Sequence, residues 1–116
     1  MSSQEVIYQV DAFTDQPFMG NPAGVCILEK EMDEDWMQNI AAEMNLSETA
    51  FVLQNKSEFR IMFFTPETEI PLCGHATLSS AHIMFEAGIT ARNEPIIFQS
   101  MAGKLIIKSD GNWIIR

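Results

Sequence analysis

Short runs of apolar and alternating residues mark the candidate β-strands of this chain. They are separated by turn signals: Gly20-Asn21-Pro22 precedes the second run, and Asp110-Gly111, a pair typical of tight hairpins, precedes the last. The polar stretch Gln54–Glu58 suits a hairpin loop between the third and fourth runs. The candidate strands are Val6–Val10, Ala23–Leu28, Thr49–Leu53, Phe59–Phe64, Pro95–Ser100, Leu105–Ser109 and Trp113–Ile115.

The first of two predicted helices begins near residue 33. Asp33 is a suitable N-cap, and the acidic Glu34 and Asp35 favour the positive end of the helix dipole. Asn45 is a plausible C-terminal stop. Apolar side chains at helical spacing predict one buried stripe, formed by Trp36, Met37, Ile40, Ala41 and Met44.

The second predicted helix runs from about Gly74 to Ala87 and ends at Gly88. Its apolar residues lie nearly all around the helix, which is typical of a buried helix. Its small residues Thr77, Ser79 and Ser80 let a sheet approach closely. The sequence therefore predicts an α+β fold, in which a mostly antiparallel sheet is rolled around one central buried helix.

Composition limits the classes of function. The 116 residues include 7 Lys+Arg and 16 Asp+Glu, so the formal net charge is −9. A single domain is the default at this length. No basic cluster is present, so neither a nucleic-acid partner nor an anionic membrane surface is predicted.

The location of the protein is predicted from what the sequence lacks. No apolar stretch approaches the roughly 18 residues of a membrane span, and no secretory signal is visible at the start. The two cysteines, Cys26 and Cys73, lack the spacing of a disulfide framework or a metal site. We therefore expect a soluble, cytoplasmic protein with reduced thiols.

The strongest candidate for chemistry is the segment Pro71–Thr77, where a loop meets the buried helix. The first turn of a helix presents free N–H groups that suit a carboxylate. Gly74 lets a ligand approach the backbone, His75 can exchange a proton near neutral pH, and Cys73 is expected to have a lowered pKa. Equally, the His75 ring could donate a structural hydrogen bond to a nearby carbonyl, and Cys73 could serve only as a small buried apolar residue.

Two further segments are weaker candidates. Glu48 stands between the first helix and a strand, among the apolar Leu46, Ala50 and Phe51. A carboxyl in such a setting can act as a general acid or base, although a solvated loop glutamate is the simpler interpretation. The segment Phe18–Val25 contains Asn21, and its simpler interpretation is a plain turn.

Several common kinds of site are absent from the pattern. His75 and His82 are seven residues apart, about 10 Å along a helix, which is too far for one metal ion. No nucleotide-binding glycine loop and no GxSxG elbow occurs. We therefore predict no metal.

Four segments in order resemble one protein family. They are Tyr8–Thr14, Phe18–Val25, Asn45–Phe51 and Phe63–Pro66 with Glu69–Thr77. The chain resembles the PhzF-like (phenazine biosynthesis) isomerases, which share the diaminopimelate-epimerase fold. The resemblance covers nearly the whole chain.

The resemblance implies a cofactor-independent isomerase acting on a small carboxylate-bearing metabolite. Family members have two similar halves, each a sheet rolled around a helix, with the active site in the cleft between them. Glu48 would be the catalytic acid/base, and Gly74, His75 and Asn21 would bind the substrate. Cys73 matches the position of a catalytic thiol in the related epimerases.

The resemblance also implies that residues 1–116 form an N-terminal half-domain, with the C-terminal half absent from this chain. The missing wall of the cleft would come from that half, or from a second copy in a homodimer. Two alternatives remain at this point. The chain could be a catalytically incomplete fragment that serves as a scaffold or dimerisation module, or a cysteine-dependent epimerase using Cys73.

Overall fold

A computed structural model describes residues 6–10, 22–55, 57–108 and 113–115 of the chain. The described residues form two helices, α1 (Glu34–Met44) and α2 (Gly74–Glu86), and one sheet. The strands of the sheet are β1 (Val6–Val10), β2 (Ala23–Leu28), β3 (Glu48–Asn55), β4 (Glu58–Phe64), β5 (Glu69–Ile70), β6 (Ile96–Ser100), β7 (Gly103–Ile107) and β8 (Trp113–Ile115).

The sheet is mostly antiparallel, as predicted. Its strand order is β1-β2-β3-β4-β6-β7-β8, with β5 paired to β4. Two neighbouring pairs are parallel, β2 with β3 and β4 with β6. Parallel neighbours need a long crossover. The chain passes through α1 between β2 and β3, and through β5 and α2 between β4 and β6.

The two helices pack against opposite faces of the sheet, because side chains alternate between the faces along each strand. On the α2 face, α2 packs against apolar residues from five strands. The fully or nearly buried members of this cluster are Ala23, Ala50, Val52, Phe59, Ile61, Phe63, Ala76, Ala81, Met84, Phe85, Ile96, Phe98, Leu105 and Ile107. On the α1 face, a smaller cluster contains Cys26, Leu28, Met37, Ala41, Phe51, Met62 and Phe64.

Helix α1 has the predicted limits. Asp33 is the N-cap, and its Oδ1 accepts a hydrogen bond of 2.7 Å from the Trp36 backbone N–H. Asn45 closes the helix in the left-handed conformation, with φ 53°. Met37 and Ala41 are buried, so the predicted stripe does face the sheet.

Helix α2 is the buried helix that the sequence predicts. Cys73 is its N-cap, and the Thr77 hydroxyl donates a 2.8 Å hydrogen bond to the Cys73 carbonyl. The C-cap is Ala87, followed by Gly88 at a positive φ of 75°. Seven of its residues are buried, among them the small residues that allow close approach: Ala76, Thr77, Ser79, Ser80 and Ala81.

Some predicted boundaries were wrong. The third strand begins at Glu48 rather than Thr49, because its parallel pairing with β2 starts with Ala23 opposite Glu48. The two-residue β5 was not predicted. Asn21, Ser109 and the Asp110-Gly111 turn lie outside the described residues.

Two neighbouring serines of α2 offer a matched test of buried polar groups. Both are fully buried, and the Ser80 hydroxyl donates a 2.7 Å hydrogen bond to the Ala76 carbonyl. Within the described residues, the Ser79 hydroxyl has no hydrogen-bond partner. A buried hydroxyl without a partner costs stability.

Ser79→Ala is therefore expected to raise the free energy of unfolding by about 1 kcal/mol, since alanine also favours the helix. Ser80→Ala is the control and is expected to lower it by about 0.5–1.5 kcal/mol. Urea denaturation followed by circular dichroism measures both. If both substitutions changed the free energy of unfolding by the same amount, the Ser79 and Ser80 hydroxyls would not differ in hydrogen bonding as described.

Candidate active site

Glu48 is held by the sheet rather than by a loop. It is the first residue of β3 and pairs with Ala23 of β2. Ala50 and Val52, two and four positions along, belong to the α2 cluster. By the alternation of the strand, the half-buried Glu48 side chain points to the same face of the sheet.

The Glu48 carboxylate meets the first turn of α2 through Cys73. The Cys73 thiol donates a hydrogen bond to Glu48 Oε1 at 3.3 Å, and its Sγ accepts one from the Ala76 backbone N–H at 3.4 Å. Gly74 and His75 follow directly as the first two residues of the helix, and both are half-buried. The structure thus brings together four of the predicted site residues, Glu48, Cys73, Gly74 and His75.

The predicted lowering of the Cys73 pKa was wrong. Burial, together with the hydrogen bond to Glu48 and the charge of that carboxylate, raises the pKa of the thiol to about 11. The backbone N–H groups of Ala76 and His75 lower the pKa of the thiol, as expected at a helix N-terminus, but their effect is smaller than the combined effect of burial and Glu48. The thiol is therefore neutral at physiological pH.

The electrostatics of the two helices differ at their N-termini. Helix α1 carries its own acidic residues, Glu34 and Asp35, in its first turn. Helix α2 has no acidic residue in its first turn and no basic residue in its last. The Glu48 carboxylate, supplied by the sheet, stands where the helix dipole favours a negative charge.

The remaining predicted residues lie apart from this group or outside the described residues. Asn21 is among the residues that the structure does not describe. Cys26 is buried in the cluster on the α1 face, whereas Cys73 packs against the α2 cluster, and no disulfide joins them. Within the described part of the chain, no three His, Cys, Asp or Glu side chains are grouped so that they could hold a metal ion.

Thr77 provides a supporting contact in this site that was not predicted. Its hydroxyl donates a hydrogen bond to the Cys73 carbonyl and so restrains the residue that contacts Glu48. A threonine four positions after an N-cap is a detectable signal for such a contact, because its hydroxyl reaches the carbonyl one turn earlier.

A second, open cleft of about 340 Å³ lies on the α1 side of the sheet. Its charged lining consists of Glu34, Glu69 and Arg60, and Arg60 forms an exposed ion pair with Glu31 at 3.6 Å. Burial and the nearby Glu34 raise the pKa of Glu69, while Arg60 lowers it. None of the predicted site residues lines this cleft, so it is separate from the group around Glu48.

Comparison with known proteins decides the family. Residues 10–113 match the family model of phenazine biosynthesis-like proteins, PhzC-PhzF. The chain belongs to the PhzC-PhzF family. It is 51% identical over 108 residues to an uncharacterized isomerase of Halalkalibacterium halodurans, covering 93% of this chain and 41% of the relative. It is 49% identical over 107 residues to a human phenazine biosynthesis-like domain-containing protein, covering 85% of this chain and 37% of that protein.

Solved PhzC-PhzF structures have the same fold. A crystal structure of a PhzC/PhzF protein from Clostridium difficile matches with a TM-score of 0.85 and 42% identity, covering 95% of this chain and 42% of the other. This match confirms the predicted family and α+β fold. The chain spans about two fifths of the length of the curated relatives it matches.

No helix in the described part of the chain is long and apolar enough to span a membrane.

Proposed function

We propose that the protein containing this chain is a cofactor-independent isomerase that moves a proton between carbons of a small carboxylate-bearing metabolite. Glu48 is the acid/base, and the first turn of α2, with Gly74 and His75, binds the substrate carboxylate. The observation that carries the proposal is the 3.3 Å contact between Cys73 Sγ and Glu48 Oε1, because it joins a carboxylate to a helix N-terminus. Membership of a family with relatives named as isomerases supports the same reaction class.

The chemistry follows from the two components of the site. The Glu48 carboxylate takes a proton from a substrate carbon, and the electron pair of the broken C–H bond moves into the conjugated system of the substrate. The positive end of the α2 dipole stabilises the negative charge that develops there. The protonated Glu48 then returns the proton to a different carbon, so atoms and charge balance without a cofactor.

The reaction also needs a pocket that shields the developing charge from bulk water. Glu48, Gly74 and His75 are half-buried, which supports placing one wall of the proposed pocket here. We propose that the opposite wall comes from the C-terminal half of the family fold, or from a second copy of this chain in a homodimer. Asn21 is a further candidate for substrate binding by its resemblance to the family.

A cysteine-dependent epimerase is the weaker alternative. Such an enzyme needs a thiolate near neutral pH, whereas burial and Glu48 raise the pKa of Cys73 to about 11. It also needs a second thiol across the pocket, and Cys26 lies buried on the opposite face of the sheet.

Solvent exchange tests the proposed reaction without knowledge of the natural substrate. The protein is incubated in D2O with a panel of small unsaturated acids and amino acids, and deuterium on carbon is measured by NMR and mass spectrometry. We expect incorporation into at least one unsaturated carboxylate, because a proton held by Glu48 exchanges with solvent before it returns. A scaffold or dimerisation module without catalysis predicts no incorporation into any compound.

A further inference from the structure

We propose that Cys73 is a positioning residue, whose neutral thiol holds the Glu48 carboxylate against the first turn of α2. The effect of Cys73 on catalysis rests on the proposed function, but the contact between Cys73 and Glu48 can be tested without it. It assigns to the cysteine a role as a hydrogen-bond donor, not as a nucleophile or acid/base.

The geometry gives the thiol two partners at once. Its sulfur accepts the Ala76 backbone N–H at 3.4 Å, which fixes the cysteine side chain to α2. Its S–H donates to Glu48 Oε1 at 3.3 Å, which connects α2 to the first residue of β3. The Cys73 carbonyl is bound by the Thr77 hydroxyl, so both the backbone and the side chain of the cysteine are restrained.

Glu48 needs such a restraint because its own backbone fixes only part of the side chain. Pairing with Ala23 holds the Glu48 backbone in the sheet, but three side-chain torsions lie between that backbone and the carboxylate. The side chain is half-buried, so part of it faces solvent. A misplacement of about 1 Å in a reacting group can cost on the order of a hundredfold in rate.

A neutral thiol suits this position better than a thiolate. A thiolate has no proton to donate and would repel the Glu48 carboxylate. The raised pKa of Cys73, about 11, keeps the proton on the sulfur throughout the physiological range. The carboxylate and the thiol therefore support each other: burial and the charge of Glu48 keep the proton on the thiol, and the thiol holds Glu48 in place.

The first experiment tests the contact by thiol reactivity and does not depend on catalysis. The pH dependence of iodoacetamide alkylation at Cys73 is measured by peptide mass spectrometry, with the fully buried Cys26 as an internal reference. We expect Glu48→Gln to alkylate on the order of tenfold faster than the unmodified protein at pH 8, because removing the charge of the carboxylate lowers the pKa of the thiol and raises its thiolate fraction. Equal rates in the two proteins would overturn the proposal.

A folding defect in Glu48→Gln is excluded by circular dichroism. If that variant does not fold, Glu48→Asp replaces it, since it keeps the charge but withdraws it by one methylene group. Its alkylation rate is expected to lie above that of the unmodified protein, and an unchanged rate again overturns the proposal.

The second experiment tests positioning through catalysis in the deuterium-exchange assay. Cys73→Ala is expected to lower kcat by on the order of tenfold to a hundredfold with little change in KM, whereas Cys73→Ser, which can donate and also cap the helix, restores most of it. Asp33→Ala is the matched control, because it removes an N-cap from α1 on the opposite face of the sheet. It is expected to lower stability without lowering kcat.

The outcomes separate the two proposals. A Cys73→Ala variant with unchanged kcat, or a Cys73→Ser variant as slow as Cys73→Ala, would overturn the positioning role. No exchange by the unmodified protein, together with faster alkylation of Glu48→Gln, would overturn the isomerase proposal and support the contact.

Discussion

Glu48→Gln is expected to reduce solvent-deuterium exchange by about 10²–10⁴-fold, the usual contribution of a positioned acid/base. Glutamine has nearly the same shape as glutamate and can still accept the Cys73 hydrogen bond, but its amide cannot take a proton from carbon. The expected loss therefore falls on kcat and leaves the fold intact. The measurement is the initial rate of deuterium incorporation at saturating substrate, with circular dichroism as the check on folding.

The matched control for this prediction is Glu43→Gln. Glu43 is an exposed residue of α1, away from the α2 face, and the substitution makes the same change of charge. Its exchange rate is expected to equal that of the unmodified protein. A Glu48→Gln variant that exchanges as fast as this control would show that another group moves the proton.

Phe51→Ala is expected to lower the free energy of unfolding by about 3–5 kcal/mol, the usual cost of removing a buried phenylalanine ring. Phe51 is fully buried at the centre of the α1 cluster. Its ring meets Phe64 edge-on at a centroid distance of 5.5 Å and Trp36 at 6.1 Å. Alanine leaves a cavity between the sheet and α1, and the sheet and the helix are too rigid to close it fully.

Guanidinium denaturation measures this loss, which is a large part of the stability of a typical domain. Met101→Ala is the control, because Met101 is 65% exposed and its truncation is expected to change stability by less than about 0.5 kcal/mol. If the two variants were equally stable, Phe51 would not be the packing centre of this face.

The limits of the helices could be predicted because their signals are local. The Asp33 N-cap and the Asn45 stop lie next to the residues they act on, and both occur where the sequence places them. The buried character of α2 was also readable, since its small and apolar residues surround the helix axis. These signals need no knowledge of the rest of the chain.

Features that depend on distant residues were missed or predicted wrongly. The pKa of Cys73 was expected to fall because the sequence indicates a helix N-terminus, but burial and a carboxylate 25 positions earlier in the chain raise it. The sequence alone indicates a loop for Glu48, because its place in a strand depends on pairing with Ala23, from which α1 separates it along the chain. The two-residue β5 is a strand only because it pairs with Phe63 and Phe64 of β4.

The resemblance to the family implies that Glu48 and the start of α2 line one cleft, and the contact between Cys73 and Glu48 agrees with this, although the catalytic role of Glu48 stays a prediction. The 3.3 Å contact between Cys73 Sγ and Glu48 Oε1 depends on how α2 packs against β3, which no local sequence pattern indicates.

The alternation of β3 makes the candidate site sensitive to changes in chain length. Glu48 and Ala50 point towards α2, while Phe51 points towards α1. Inserting a single residue between Glu48 and Ala50 would exchange even and odd positions and turn the carboxylate to the wrong side of the sheet, whereas inserting two would restore its side. Lengthening the loop before β3 does not change which face Glu48 points to. Natural relatives should therefore tolerate insertions before Glu48 and lack insertions of an odd number of residues just after it.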